Sequence, residues 1–258
     1  MPACPSIFRA TFRSMLELLP QAESYARPLL TNFRVGAVVR GTSGALYLGA
    51  NLEFPGQSLN QTVHAEQAAL SNAFMHDEPG IEAIAVSVPP CGHCRQFLYE
   101  FADGRDIQIL LPGQPAIPLS ALLPRPFGPQ DLKVRESPLT RTKIAIETFE
   151  GDPARAARYA AANAYAPYTH SPSGVAIRSR RGNVYRGSYI ENAAFNPSLP
   201  PMQVALAAMA MAHENFSEIA EVVLSEAANN SISQLSATKS LVAAIAPRAE
   251  FRLLPRAK

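Results

Sequence analysis

The sequence predicts an α/β protein: a three-layer α-β-α sandwich with a mixed central sheet, present twice in tandem. Three observations carry this. GAVVRGTSGALYLGANLEF (36–54) resembles GVAIRSRRGNVYRGSYIEN (174–192) at a constant offset of 138, with Gly36, Arg40, Gly44, Tyr47, Gly49 and Glu53 meeting Gly174, Arg178, Gly182, Tyr185, Gly187 and Glu191. Within each copy, strand patterns alternate with helix patterns, the signature of helices layered on a sheet. Between the copies lies a proline-rich, aperiodic stretch.

The elements follow in order. Residues 1–20 form an N-terminal arm; Arg9, Arg13 and Glu17 break it, so it lacks a signal-peptide core. It reads as an amphipathic helix packed on the domain, with a short organelle-targeting segment as the alternative. Residues 21–115 make the first domain. VGAVVRGTSGALYLG alternates around a glycine-centred turn, as a β-hairpin does. AEQAALSNAF reads as a helix, AIAVSV as a buried central strand, CRQFLYEFA as a second helix and IQILL as a further strand. Residues 116–150 are the linker and 151–258 the second copy, whose FRLLP, ending at Pro255, repeats the QILLP ending at Pro112.

The net charge of +2 and the 17% of charged residues describe a globular chain without the dense basic surface of a nucleic-acid binder. The basic run RSRRGNVYR (178–186) falls on the second hairpin, where a solvated turn is the plain reading. No apolar run approaches the about 18 residues that span a bilayer. Neither nucleic acid nor membrane is an expected partner, and the expected location is the cytoplasm. Three cysteines cannot build a disulfide framework.

Two of them, Cys91 and Cys94, form a CxxC where a helix begins. Unpaired N–H groups there favour thiolate over thiol. Upstream, His64 and Glu66 open the AEQAAL helix. Residues two apart in mid-helix point to nearly opposite sides, because each residue turns the chain by about 100°; only at a helix end can both serve one centre. His64, Cys91 and Cys94 would hold one zinc ion and leave a fourth position for water. Glu66 would carry protons between that water and a substrate. A redox pair, or a closed structural zinc completed by His76 or His93, are the competing readings. The HxE…PCxxC combination favours the open site and is the signature of zinc-dependent nucleobase deaminases.

NFRVGAVVRG, GANLEF, TVHAEQAAL and PCGHCRQF together resemble the cytidine deaminases, and the second copy resembles their two-domain homodimeric branch. The resemblance implies hydrolytic deamination of cytidine and deoxycytidine to uridine and deoxyuridine, with zinc-activated water attacking C4. It implies that Glu66 protonates N3 and passes a second proton to the departing ammonia. It implies further that Asn51 and Glu53, which strand alternation sets on one face, bind the ribose hydroxyls. Phe33 would pack on the pyrimidine, while the Ala65 N–H and the Pro89 carbonyl hold O2 and the exocyclic amine. A zinc deaminase acting on a nucleoside analogue or on nucleic-acid cytosine is the runner-up. A zinc-stabilised interaction protein, which has no use for Glu66, is the reading from another class.

At the offset of 138, His64 maps to Met202, Glu66 to Val204, Cys91 to Asn229 and Cys94 to Ile232. The second copy is therefore expected to be metal-free and to serve as scaffold. Its loop ENAAFNPSLPP (191–201) either covers the partner subunit's active site, with Phe195 as an apolar lid, or packs within its own domain.

Overall fold

The computed structural model describes residues 12–141, 144 and 151–255. The start of the N-terminal arm and most of the end of the expected linker lie outside the described residues. The chain divides into two units. Unit 1 takes the chain up to Glu53, then Thr62–Arg141 and Asn192–Pro197; unit 2 takes Phe54–Gln61, Thr142–Glu191 and the chain from Ser198 onward. Corresponding loops of the two copies are thus exchanged: 54–61 is counted with the second unit and 192–197 with the first. Sequence similarity alone carries no signal of that exchange.

In unit 1, β1 (Gly36–Gly41) and β2 (Leu46–Ala50) pair antiparallel through a turn in which Gly44 adopts φ +87°. That conformation suits glycine and is common in three-residue hairpin loops. β3 (Ile81–Val86) runs antiparallel to β1, and β4 (Gln108–Leu110) runs parallel to β3. The sheet order is β2-β1-β3-β4-β5, where β5 (Ile117–Pro118) pairs antiparallel with β4. The stretch expected to be linker therefore begins with a sheet strand, followed by the short α5 (Leu119–Leu122).

Helices cover both faces. α1 (Phe12–Glu17) and α2 (Leu19–Ser24) bring Met15, Leu19 and Ala22 onto Val38, Ala83, Ala85 and Leu110. α3 (Ala65–Met75) lies on the opposite face beside α4 (Gly92–Glu100). Its approach is set by Gly49, where an added Cβ would stand 2.1 Å from the Ala69 backbone nitrogen. Five of the six residues of β3 are buried, as a central strand requires.

Unit 2 repeats the plan with sheet order β7-β6-β8-β9. Here β6 is Ser173–Ser179, β7 Val184–Ser188, β8 Ile219–Glu226 and β9 Glu250–Pro255. α6 (Pro153–Ala162), capped by Asp152, packs at Gly174, and α7 (Pro201–Met211) packs at Gly187. α8 (Leu235–Ile245) precedes β9.

The structure corrects the expected residue mapping. The strands keep the offset of 138, since Gly41↔Ile81 in unit 1 matches Ser179↔Ile219 in unit 2. The helix between them does not. Leu52 bridges Val63 whereas Ile190 bridges Leu199, and Gly49 faces Ala69 whereas Gly187 faces Ala205. At the helix end, Asp77 (φ +60°) corresponds to His213 (φ +57°) and Glu78 to Glu214. The loop before the helix is two residues shorter in the second copy, and the turn after it two residues longer. His64 thus corresponds to Pro200 and Glu66 to Met202, not to Met202 and Val204. Cys91 and Gln234 are the N-caps of α4 and α8, so Asn229 lies in the longer loop before α8. Neither mapping gives the second copy a metal ligand.

The corrected register also exposes a shared polar hub. Glu78, buried, accepts from the Ser43 amide (3.0 Å) and the Tyr47 hydroxyl (2.9 Å), and Glu214 accepts from Asn183. Burial and then the Glu78 carboxylate push the Tyr47 phenol up; Tyr185, beside Glu214, is pushed up to about 12 for the same reasons.

Because the Gly49 contact is backbone on backbone, Gly49→Ala lowers stability by about 3 kcal/mol, at the upper end of overpacking costs. Urea unfolding of the zinc-loaded protein measures it. A neutral substitution would show that α3 does not sit on β2 as described.

Candidate metal centre

The centre is assembled where two helices start. His64 is the N-cap of α3 (φ −83°, ψ 153°) and Cys91 the N-cap of α4 (φ −70°, ψ 168°). Both caps are extended, so their side chains leave the helical path. This removes the conflict between His64 and Glu66, because only Glu66 lies within the helix proper. Cys94 sits one turn into α4. The His64 Nδ1 lies 3.5 Å from Cys91 Sγ and 3.2 Å from Cys94 Sγ, and the three donor atoms lie within 4.8 Å of one another. Tetrahedral zinc with bonds of about 2.3 Å to sulfur and 2.0–2.1 Å to nitrogen places its ligands about 3.5–3.8 Å apart. The donor set fits in both chemistry and spacing, and it is the one His, Cys and acidic group of this kind among the described residues.

The electrostatics match a site made for a cation. A hydrogen bond from Cys94, helped by the His93 and Cys94 amides and by His64, outweighs desolvation and draws the Cys91 thiol down to about 4. Cys94, hydrogen-bonded to Cys91 and buried, is pushed up well above the ordinary thiol. Without metal the pair shares a proton, which a divalent cation replaces. Glu66 is 4% exposed. Burial raises its carboxyl above the usual range, although its own backbone amide, His64 and a hydrogen bond with Cys94 pull the other way.

The remaining expected residues are placed as follows. Ala65 is the first residue of α3, and helix geometry leaves its N–H without an intrahelical acceptor. Pro89 is exposed, and the next carbonyl, of Pro90, accepts from Arg95 Nε (2.9 Å). Arg95 also donates to the Leu122 carbonyl (2.9 Å), which fixes the CxxC knuckle against α5. Asn51 accepts from the Val35 amide and donates to the Phe33 carbonyl, each at 2.9 Å. Phe33 itself is exposed. Glu53 receives the Leu30 amide (2.7 Å), the Thr31 amide (2.9 Å) and the Thr31 hydroxyl (2.6 Å). Burial pushes its carboxyl up, yet these donors win and hold it below the ordinary carboxylate value. Glu191 receives the Tyr168 and Thr169 amides and the Thr169 hydroxyl in the same way. Holding this turn is therefore a function that both copies share.

Phe195 is exposed at φ +63° in the Asn192–Pro197 segment. That segment is fastened to α4 within unit 1. Asn192 donates to the Gln96 carbonyl (3.0 Å), and the Ala193 amide donates to Glu100 (2.9 Å). The loop thus packs neither in its own domain nor freely, but in unit 1 of its own chain.

Sequence reasoning passed over Gln67 and Arg95. Gln67 had a readable signal, because a Gln three residues after an N-cap is the reciprocal partner of a capping box. Its Oε1 accepts from the His64 amide at 3.2 Å.

Two family models match, both described as the cytidine and deoxycytidylate deaminase zinc-binding region: one over residues 11–109, the other over residues 119–239. A cytidine deaminase of Vibrio vulnificus is 45% identical over 231 residues, which cover 89% of this chain and 78% of the relative. One from Photobacterium profundum is 46% identical, with the same coverage of both chains. The chain belongs to the cytidine deaminase family.

A solved cytidine deaminase structure from Mycobacterium tuberculosis is 28% identical, covers 45% of this chain and 97% of its own, and has a TM-score of 0.42. As a two-copy cytidine deaminase, the protein carries its zinc ligands in the first matched region. The second, with Pro200 and Met202 where His64 and Glu66 stand, has none of them. The cofactor is zinc. No helix among the described residues is long and apolar enough to cross a membrane.

Zinc-stripped protein treated with iodoacetamide at pH 6 is alkylated at Cys91 and not at buried Cys94, and the rate at Cys91 falls as the pH drops below about 4. Zinc protects Cys91. Peptide mass spectrometry reads the sites; a Cys91 that reacts only above pH 8 contradicts the shared-proton pair.

Proposed function

We propose that the protein catalyses zinc-dependent hydrolysis of cytidine and deoxycytidine to uridine and deoxyuridine, with release of ammonia, in pyrimidine salvage. The observation that carries the reading is the buried Glu66 carboxyl hydrogen-bonded to Cys94 beside the His64–Cys91–Cys94 donor set. A closed structural site has no use for such an acid. When bound, zinc acidifies a water in its open position from a pKa of about 15.7 toward about 7.

The chain's own residues do the rest. Glu66 takes a proton from the water and delivers it to N3, and the oxygen adds at C4. Glu66 then moves the second proton to the exocyclic nitrogen, the C4–N bond breaks and ammonia leaves. A carboxyl raised by burial suits this work, since it must both accept and donate near neutral pH. The Ala65 N–H holds O2 and the Pro89 carbonyl holds the amine. Phe33 stacks on the ring. Asn51 and Glu53 receive the ribose hydroxyls while ordering the 30–35 segment that carries Phe33. Phe195 covers the site. Where two subunits associate as a homodimer, the partner's copy of the segment supplies a further lid. The location is the cytoplasm.

The competing nucleic-acid substrate lacks support: the chain has no basic, aromatic-rich stripe of the kind that tracks single strands. Glu66→Gln, with zinc still bound, lowers kcat by a factor of about 10³ or more, in line with what a positioned proton carrier contributes. Chelation abolishes turnover. The fall in cytidine absorbance measures both, and full activity in Glu66→Gln would overturn the mechanism.

A further inference from the structure

We propose that Gln67 is a positioning residue that couples retention of the metal to docking of the Asn192–Pro197 segment. The inference deepens the reading given under Proposed function and rests on it for the identity of the site. Gln67 is 2% exposed, and its side chain carries one carbonyl acceptor and two N–H donors. Its Oε1 accepts from the backbone amide of the ligand His64 at 3.2 Å. Its Nε2 lies 3.1 Å from His93 Nε2, inside the CxxC knuckle, and 3.3 Å from the Pro197 carbonyl. One amide group thereby touches three walls of the centre: the α3 cap, the α4 knuckle and the end of the segment that bears Phe195.

The second copy separates these roles. Gln203, the counterpart of Gln67 in the corrected register, keeps its place although Pro200 and Met202 have replaced His64 and Glu66. Its Nε2 donates at 2.6 Å to Gln61, which belongs to the corresponding exchanged loop in unit 2. The retained function at this position is holding the exchanged loop. The first copy adds a hold on the ligand residue and on the knuckle. Because both functions share one amide, a shift of the segment draws on the same group that fixes His64. Groups that orient metal ligands in this way change metal affinity by about 10–100-fold when removed.

Two substitutions of similar size divide the roles. Gln67→Met removes all three polar contacts; Gln67→Glu keeps an acceptor for the His64 amide and sets a carboxylate against the Pro197 carbonyl. The measurements are zinc release to a chromogenic chelator, amide hydrogen exchange at residues 193–196, and KM and kcat for cytidine. Gln67→Met releases zinc about 10-fold faster and exchanges faster in the segment. Gln67→Glu releases zinc as the wild type does, exchanges faster in the segment, and raises KM about 10-fold with kcat little changed. Gln203→Met leaves zinc release unaltered. Wild-type exchange in the segment in a folded Gln67→Glu variant overturns the proposal, as does wild-type zinc release in a folded Gln67→Met. If the unaltered enzyme fails to turn over cytidine, the functional reading falls, while zinc release and exchange still judge the coupling.

Discussion

Everything in the catalytic unit depends on two helix N-termini meeting at one point. α3 and α4 begin with extended caps, His64 and Cys91, and the open amides behind those caps favour negative charge on the sulfurs. A cation at that point is attracted by thiolate, while the helix ends stabilise the thiolates that bind it. The scaffold exists to hold the two starts in register. Gly49 lets the α3 backbone rest on β2, the buried β3 leads directly into the knuckle, and Arg95 clasps the Pro90 carbonyl. A helix displaced by the width of one methyl group would carry His64 away from the sulfurs.

The duplicated half shows which parts of this arrangement belong to the fold and which to the chemistry. The sheet order, the glycine-mediated helix contacts, the Glu78 and Glu214 hubs and the turns gripped by Glu53 and Glu191 occur in both units. The metal donors and the proton carrier occur in one. Unit 2 closes its core with Pro200 and Met202 at the positions where unit 1 has a ligand and an acid, so the sandwich does not require the ion in order to pack. The double use of Glu53 follows from the same comparison: its carboxylate first holds a turn, and what it offers a substrate is built on that hold.

The fold was largely legible because its signals are local. Alternation in VGAVVRGTSGALYLG, the Ala-rich helix and the continuous apolar run of β3 each announce their own element. The donor set was legible for a different reason: His, Glu and a CxxC have few other uses in that combination. What could not be read came from loops. A two-residue deletion before α7 and a compensating insertion after it leave the strand offset unchanged, so a constant register seemed to run through the helix. Matches such as Gln67 with Gln203 and Glu78 with Glu214 reveal the slip only once Leu199 is seen bridging Ile190. The exchange of loops 54–61 and 192–197 was hidden because packing partners distant in sequence leave no periodic trace. β5 was hidden by the prolines around it.

The central claim is an open zinc site in one copy of a doubled fold. Anomalous diffraction on either side of the zinc absorption edge, from crystals of the purified protein, tests it most directly. The account requires a single peak bonded to His64 Nδ1, Cys91 Sγ and Cys94 Sγ, with solvent at the fourth vertex and no peak in unit 2. A fourth vertex taken by His93 or Glu66, or a second peak among residues 198–234, would contradict it.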